Sequence, residues 1–248
     1  MTVEALIVIT ISPFVGSFIG VVIDRLPQGR PIVFGRSSCD HCGQALGWTD
    51  LIPLVSFVWF RGRCRHCKTK LRIFYLLIEL AAIVVALSAI LTLSGWLLYF
   101  SVALGWSLLA LAVIDHHHLI LPDALTLPLI PAGLIVTSLI EPGLLGIHMI
   151  GVAAGLFVFL TIAWSYRCLR GREGLGVGDA KLLAGAGAWL GWPALPGVVL
   201  LASISALGLA VLHGRFGERM TATSELAFGS HLALAFWASW LLGPLTLA

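Results

Sequence analysis

The stretch IFYLLIELAAIVVALSAILTLSGWLLYFSVALGWSLLALAVIDHHH, residues 73–118, decides the fold class. Before Asp115 it holds one carboxylate, Glu79, and no Lys or Arg, and a Ser94–Gly95 turn divides it into apolar runs at 73–94 and 96–114. Crossing about 30 Å of hydrocarbon takes roughly 20 apolar residues, so each run is long enough to span a membrane as a helix. Outward from this pair, similar runs at 4–23, 119–140, 144–166, 180–195, 196–212 and 226–247 bring the expected number of spans to about eight. The two between 180 and 212 are short and glycine-rich. The first lacks the basic start and small-residue cleavage site of a removable signal peptide and reads as a true span.

Composition supports this reading. Of 248 residues 59% are apolar and 11% charged, with mean hydropathy +1.01, whereas soluble domains carry about 25% charged residues. The chain cannot cover a globular surface with polar groups, so its expected solvent is lipid, and disorder and collagen are excluded. An all-α polytopic membrane protein follows. A net charge of +3 gives no reason to expect a nucleic-acid partner.

All fifteen Lys and Arg fall between spans or at the edge of one: nine from Arg25 to Arg72, four from Arg167 to Lys181, then Arg215 and Arg219. The positive-inside rule places these segments in the cytoplasm and both termini outside. The chain divides accordingly into a first span, residues 1–23, a cytoplasmic loop, 24–72, and a seven-span remainder, 73–248. The nine basic residues serve topology and anionic headgroups first.

The loop contains Cys39-Asp40-His41-Cys42 and Cys64-Arg65-His66-Cys67, two C-x-x-C knuckles separated by 21 residues. Four thiolates at this spacing match a tetrahedral structural zinc site. Disulfides are the alternative, disfavoured on a reducing side of the membrane, and His41 or His66 could replace a thiol. Zinc would supply folding free energy to a loop too polar to build its own core. The fifth cysteine, Cys168, reads as structural.

Two carboxylates lie at expected membrane boundaries: Asp115 ends the third span, and Asp179 opens the sixth behind Gly176-Val177-Gly178. Ionisable groups at membrane depth are costly and tend to mark function. The plain alternative is helix capping or pairing with Lys181 or a nearby histidine. Glycines at 176 and 178 would let the backbone approach a substrate closely. Two carboxylates held together in a partly dry site share a proton and titrate as a unit. One can then take a proton from water while the other hydrogen-bonds a scissile carbonyl.

These residues occur within an ordered set of motifs: Gly16-Ser17-Phe18-Ile19-Gly20-Val21-Val22, Arg25-Leu26-Pro27, the cysteine knuckles, Ile52-Pro53-Leu54-Val55-Ser56, Asp115 with Leu121-Pro122-Asp123, and Gly176-Val177-Gly178-Asp179-Ala180-Lys181. The set resembles the type IV prepilin peptidases. The resemblance implies an inner-membrane enzyme of the Gly-x-Gly-Asp aspartyl protease class, with the 73–248 region as its peptidase core. Such enzymes cleave leaders from type IV prepilins and type II secretion pseudopilins after a glycine, on the cytoplasmic side. Many also N-methylate the new terminus with S-adenosylmethionine. It implies Asp115 and Asp179 as catalytic aspartates, Cys39, Cys42, Cys64 and Cys67 as zinc ligands, and Asp123 as a supporting residue that caps the next helix.

Three departures stand out. Gly20 replaces a common Asn, a Tyr-Pro-x-x-Glu motif reads Tyr75-Leu76-Leu77-Ile78-Glu79, and a late Pro-Phe-Gly-Pro motif reads Ala227-Phe228-Gly229-Ser230. None is expected to touch the dyad. The first two fall in the half associated with methyl transfer, where Glu79 reads either as a methyl-transfer residue or as a helix residue paired with Arg72. His116, His117 and His118 do not share one helix face and carry no metal assignment. Gly185-Ala186-Gly187 reads as a helix-packing element rather than a nucleotide loop. A metal or solute transporter with a structural zinc loop is the alternative function, although its carboxylates would lie near the bilayer midplane. A noncatalytic pilus-assembly scaffold would need the zinc loop but not the dyad.

Overall fold

The computed structural model describes residues 2–32, 38, 39, 41–47, 50, 52–170, 176–215 and 227–243. Arg36, Asp40, Arg172, Arg219 and both ends of the 226–247 run lie outside them. Among the described residues the helices are α1 (Val3–Arg25), α2 (Val55–Trp59), α3 (Ile73–Thr92), α4 (Trp96–His118), α5 (Asp123–Ile140), α6 (Leu145–Arg170), α7 (Val177–Leu190), α8 (Leu195–Arg215) and α9 (Phe228–Leu242). There are no strands among them beyond two isolated bridges. Each expected span coincides with one long helix or one shorter apolar one.

Six helices are long and apolar enough to cross a membrane: α1, α3, α4, α5, α6 and α8. The expected eight is not reached by this measure. At 14 residues α7 rises only about 21 Å, less than the hydrocarbon thickness, and the described part of α9 has 15 residues. Large apolar side chains such as Phe14, Val84, Leu91, Phe157 and Leu207 are exposed. This is the arrangement a lipid solvent favours, because apolar surface there needs no protein cover.

The chain forms two compact units, Met1–Ala110 and Leu111–Ala248, dividing within α4. In the first, Thr2 caps α1 by accepting from the Ala5 N–H, and Glu4 and Arg25 match the helix dipole at its two ends. The Glu4 carboxylate also accepts from the Gly95 N–H at 3.0 Å, which ties the start of α1 to the α3–α4 turn. The remainder of α1 packs along α3. Gly16 lies so close to α3 that a Cβ there would sit 2.7 Å from the Glu79 Cα.

In the second unit α7 forms the core. It packs against α5, α6 and α9, and ten of its fourteen residues are buried. Small residues make this possible. A Cβ on Gly187 would lie 2.2 Å from the Gly151 carbonyl oxygen, and one on Gly155 2.6 Å from the Leu183 carbonyl oxygen. The Gly151-x-x-x-Gly155 spacing puts both contacts on one face of α6, and Gly187 takes the packing role expected of its stretch. Polar bonds complete the joint: Trp189 Nε1 donates to the Leu129 carbonyl at 2.8 Å, and His148 Nδ1 lies 2.9 Å from the Ala188 carbonyl.

Because the atoms meeting at Gly187 are backbone, neither helix can yield by turning a side chain. Gly187→Ala should therefore destabilise the protein by at least about 2 kcal/mol. Gly208→Ala on α8, where an added Cβ meets nothing within 4 Å, should be neutral or stabilise by up to about 1 kcal/mol. Thermal unfolding in detergent micelles distinguishes the two.

Candidate active site and metal centre

Asp115 lies near the end of α4, and Asp179 in the first turn of α7. Both are buried, with 5% and 8% of their surface exposed. The structure brings them near enough to interact electrostatically. Leu121, in the connection from α4 to α5, is the wedge that fixes this proximity. Its side chain fills the space beside both Gly178 and Gly229, so that a Cβ on either would lie 2.8 Å from it. Gly229 in turn lies against the Asp115 carboxyl group, where a Cβ would come within 2.9 Å of Cγ. The ends of α4, α5, α7 and α9 thus converge at one point.

Hydrogen bonding fixes each part. The Ser230 N–H donates to Asp115 Oδ2 at 2.6 Å, and the Ser230 hydroxyl lies 3.1 Å from the same oxygen and 2.7 Å from the Ala112 carbonyl. The Asp179 N–H donates to the Gly176 carbonyl at 3.1 Å. Lys181 Nζ pairs with Asp123 Oδ1 at 2.6 Å, joining α7 to α5. Lys181 therefore partners Asp123 rather than either buried aspartate.

Four expectations change. Asp123 makes no capping hydrogen bond; Pro122 occupies the cap position and Asp123 acts through its ion pair. Gly178 gives close approach to Leu121 of this chain, not open room for a substrate. The Ala227–Ser230 departure does touch the dyad, through Gly229 and Ser230. Cys168 is exposed rather than built into a core. The histidines 116–118 are exposed, with His116 and His117 edge to face at 5.3 Å.

In the first unit Cys39, Cys42, Cys64 and Cys67 converge, with all four sulfurs within 4.8 Å of one another. The Cys39 and Cys67 sulfurs are 3.8 Å apart, too far for a disulfide at about 2.05 Å. This separation equals the edge of a tetrahedron with a bond of about 2.3 Å to a central zinc. His41 and His66 are not part of the cluster. The two knuckles are built alike. Gly43 N–H donates to the Cys39 carbonyl and Lys68 N–H to the Cys64 carbonyl, and isolated bridges pair Ser38 with Ala45 and Arg63 with Lys70. The residue after each second cysteine is left-handed, Gly43 at φ 68° and Lys68 at φ 59°, a conformation that favours glycine and costs the lysine. The Thr69 hydroxyl and N–H hold the Cys67 thiol down at about 6, and the N–H groups of Cys42 and His41 lower that of Cys39. Burial and the Cys39 and Cys67 sulfurs push Cys42 up to about 11, as expected when thiols crowd with no cation among them.

A cavity of about 440 Å³ adjoins this cluster, with Ser38, Cys39, His41 and Thr69 on one wall and Asp24, Asp50, Tyr75 and Glu79 elsewhere. Glu79, 7% exposed, accepts from the Leu54 N–H at 2.8 Å. That bond holds Leu54 at φ 59°, a strained turn for a residue with a Cβ. Its partner is thus the Leu54 backbone; the expected pairing partner, Arg72, lies 3.8 Å from Asp24 instead. The Tyr75 hydroxyl also donates to Asp24. Asp50 accepts from the Gly47 N–H through Oδ2, while its buried Oδ1 has no hydrogen-bond partner among the described residues. Sequence reasoning missed Asp50 altogether and missed that Leu121, Gly229 and Ser230, though present in quoted motifs, close around Asp115. Ser230 alone was visible as a departure from a motif.

Comparison with known proteins agrees with these two halves. Residues 10–93 match the model of the bacterial peptidase A24 N-terminal domain, and residues 102–211 that of the type IV leader peptidase family. The chain is 37% identical to a prepilin leader peptidase/N-methyltransferase of Aeromonas hydrophila, covering 96% of this chain and 90% of that protein. It is 40% identical to one of Burkholderia pseudomallei (strain K96243), covering 88% and 79%, and 41% identical to one of Klebsiella pneumoniae, covering 77% and 87%. No solved structure matches. With both family models matching in order and relatives of this identity along nearly its whole length, the chain belongs to the type IV leader peptidase family.

Proposed function

We infer that this protein is a prepilin leader peptidase and N-methyltransferase of the bacterial inner membrane, with Asp115 and Asp179 as its catalytic dyad. The convergence of these two buried carboxylates carries the peptidase reading. A water between them is deprotonated by the ionised carboxylate as its oxygen attacks the scissile carbonyl carbon. The protonated partner hydrogen-bonds the carbonyl oxygen and gives it the proton. When the C–N bond breaks, the leaving amine takes the first proton and the dyad recovers its starting state. No acyl-enzyme forms, and a dry site strengthens each charge interaction. Nothing in the chain supports the transporter or scaffold alternatives once family membership is established.

Substrates are prepilins or pseudopilins, cleaved after a glycine. The positive-inside rule puts the cysteine loop and the dyad on the cytoplasmic face, and the 73–248 part is the peptidase core. Gly176, Gly178, Asp123 and Lys181 support the dyad by shaping and anchoring the start of α7.

The four cysteines hold a structural zinc, for which their sulfur separations fit. S-adenosylmethionine, which supplies an electrophilic methyl group on a sulfonium cation, fits the adjoining cavity. A volume of about 440 Å³ is in the range of small-molecule sites. The unpartnered Asp50 oxygen and the Glu79 carboxylate there suit a cationic ligand. Glu79 and Asp50 orient the donor, and Tyr75 with Asp24 braces the wall beside it.

Asp115→Asn and Asp179→Asn should each lower cleavage of a purified prepilin by at least about 10³-fold, read by the gel shift of the shortened product. Cleavage at the wild-type rate by either variant overturns the dyad. Because cysteine-loop residues wall the cavity, zinc removal by a chelator should lower methyl transfer far more than cleavage. The mass of the mature product with S-adenosylmethionine present reads this directly. Glu79→Gln should weaken binding of labelled S-adenosylmethionine by at least about ten-fold, whereas unchanged binding would remove Glu79 from the donor site.

A further inference from the structure

Ser230 belongs to no motif that pointed to function, yet both hydrogen bonds to the Asp115 carboxylate from the described residues come from it. Its N–H and its hydroxyl converge on a single oxygen, Oδ2, at 2.6 and 3.1 Å, the hydroxyl sharing its one proton with the Ala112 carbonyl at 2.7 Å. α9 begins at Phe228, so Ser230 is its third residue, whose N–H a capping side chain ordinarily takes. Ala227 stands at the cap position and has no side-chain acceptor. Asp115, arriving from the end of α4, supplies that acceptor.

We propose that the amino terminus of α9, through the N–H and hydroxyl of Ser230, holds Asp115 as the ionised, water-activating member of the dyad and leaves the shared proton with Asp179. The proposal rests on the dyad reading above and adds the direction of proton flow. An N–H can only donate, so Oδ2 must accept, and a charged acceptor makes the stronger bond. The helix end adds its partial positive charge. Oδ1, which receives no bond from a described donor, is the oxygen that takes the proton from water. Asp179 also lies in a first helical turn, but its carboxyl group has only the Gly176 backbone beside it, with no donor as close as the Ser230 N–H at 2.6 Å on Asp115. It is therefore the member that carries the proton and passes it to the carbonyl oxygen. Collapse of the resulting diol returns that proton to Asp179 and delivers the Asp115 proton to the leaving amine.

The other titratable groups around Asp115 are His116 on α4, His231 on α9 and Asp179 on α7. Lys181 on α7 and Asp123 on α5 neutralise each other. Either histidine, when protonated, favours the same assignment, and neither hydrogen-bonds the Asp115 carboxylate. Ser230 acts through Asp115 and is a positioning residue.

The test measures kcat and KM for prepilin cleavage across acid to neutral pH, with the full chain in lipid vesicles. Ser230→Ala should lower kcat about ten-fold at neutral pH with KM little changed. The loss should deepen about a further ten-fold toward the acid end, where an Asp115 deprived of its donor protonates first. Ser230→Thr, which restores the hydroxyl, should recover the wild-type profile. A Ser230→Ala profile parallel to wild type at every pH overturns the proposal, as does a loss confined to KM. Asp115→Asn and Asp179→Asn in the same assay separate the two ideas. Wild-type cleavage by either removes the dyad itself, whereas two inactive variants beside a parallel Ser230→Ala profile remove only the role of α9.

Discussion

A carboxylate taken out of water must be given donors by the protein, and in a chain with so few polar groups those donors come from remote segments. Glu4 takes the N–H of Gly95, Asp24 the hydroxyl of Tyr75, Glu79 the N–H of Leu54, and Asp115 the N–H of Ser230. Each bond joins parts of the chain that are far apart in sequence. The scarcity of charge that marks the protein as membranous makes each of these four carboxylates a tie between distant segments. Asp115 does this within reach of the Asp179 charge, so the bond that anchors the start of α9 also orients one of the two buried aspartates.

The second unit depends on a second constraint, close backbone approach. Gly151 and Gly187 bring α6 and α7 together until peptide groups touch, which places a helix too short to span the bilayer in the interior of the unit. Burial on α5, α6 and α9 replaces the stabilisation that a longer helix would obtain from lipid. It also fixes the first turn of α7, and Asp179 with it, at the meeting point of four helix ends. A strained or mobile loop would not hold two carboxylates with this consistency. In the first unit the cysteine cluster has the corresponding role. A loop with little regular structure among its described residues is gathered by its four cysteines, which lie beside the cavity that Glu79 lines.

Much of this was legible in sequence because its signals are periodic or spaced. Apolar runs located the helices to within a few residues, since length and hydropathy are local properties. Two C-x-x-C pairs pointed to four cysteines that do cluster, because a tetrahedral site imposes that spacing. Asp115 and Asp179 stood out as charges at the ends of apolar runs. Partners were not legible. Lys181 could have paired with Asp179 and Glu79 with Arg72, and only the packing shows Lys181 on Asp123 and Glu79 on the Leu54 backbone. A backbone N–H leaves no mark on sequence, which is why the partners of Glu79 and Asp115 were missed.

Residue type and local spacing were enough for the solvent, the class of fold, the family motifs, the four clustered cysteines and the two boundary aspartates. The tertiary structure decided which ends of which helices meet, that α7 is an interior helix, and that Leu121 and Gly229 close the space around the dyad. It also decided that Ser230 reaches Asp115. These depend on contacts between residues as much as 118 positions apart, where steric fit and the need to satisfy buried charge select one arrangement from many that the same residues would allow.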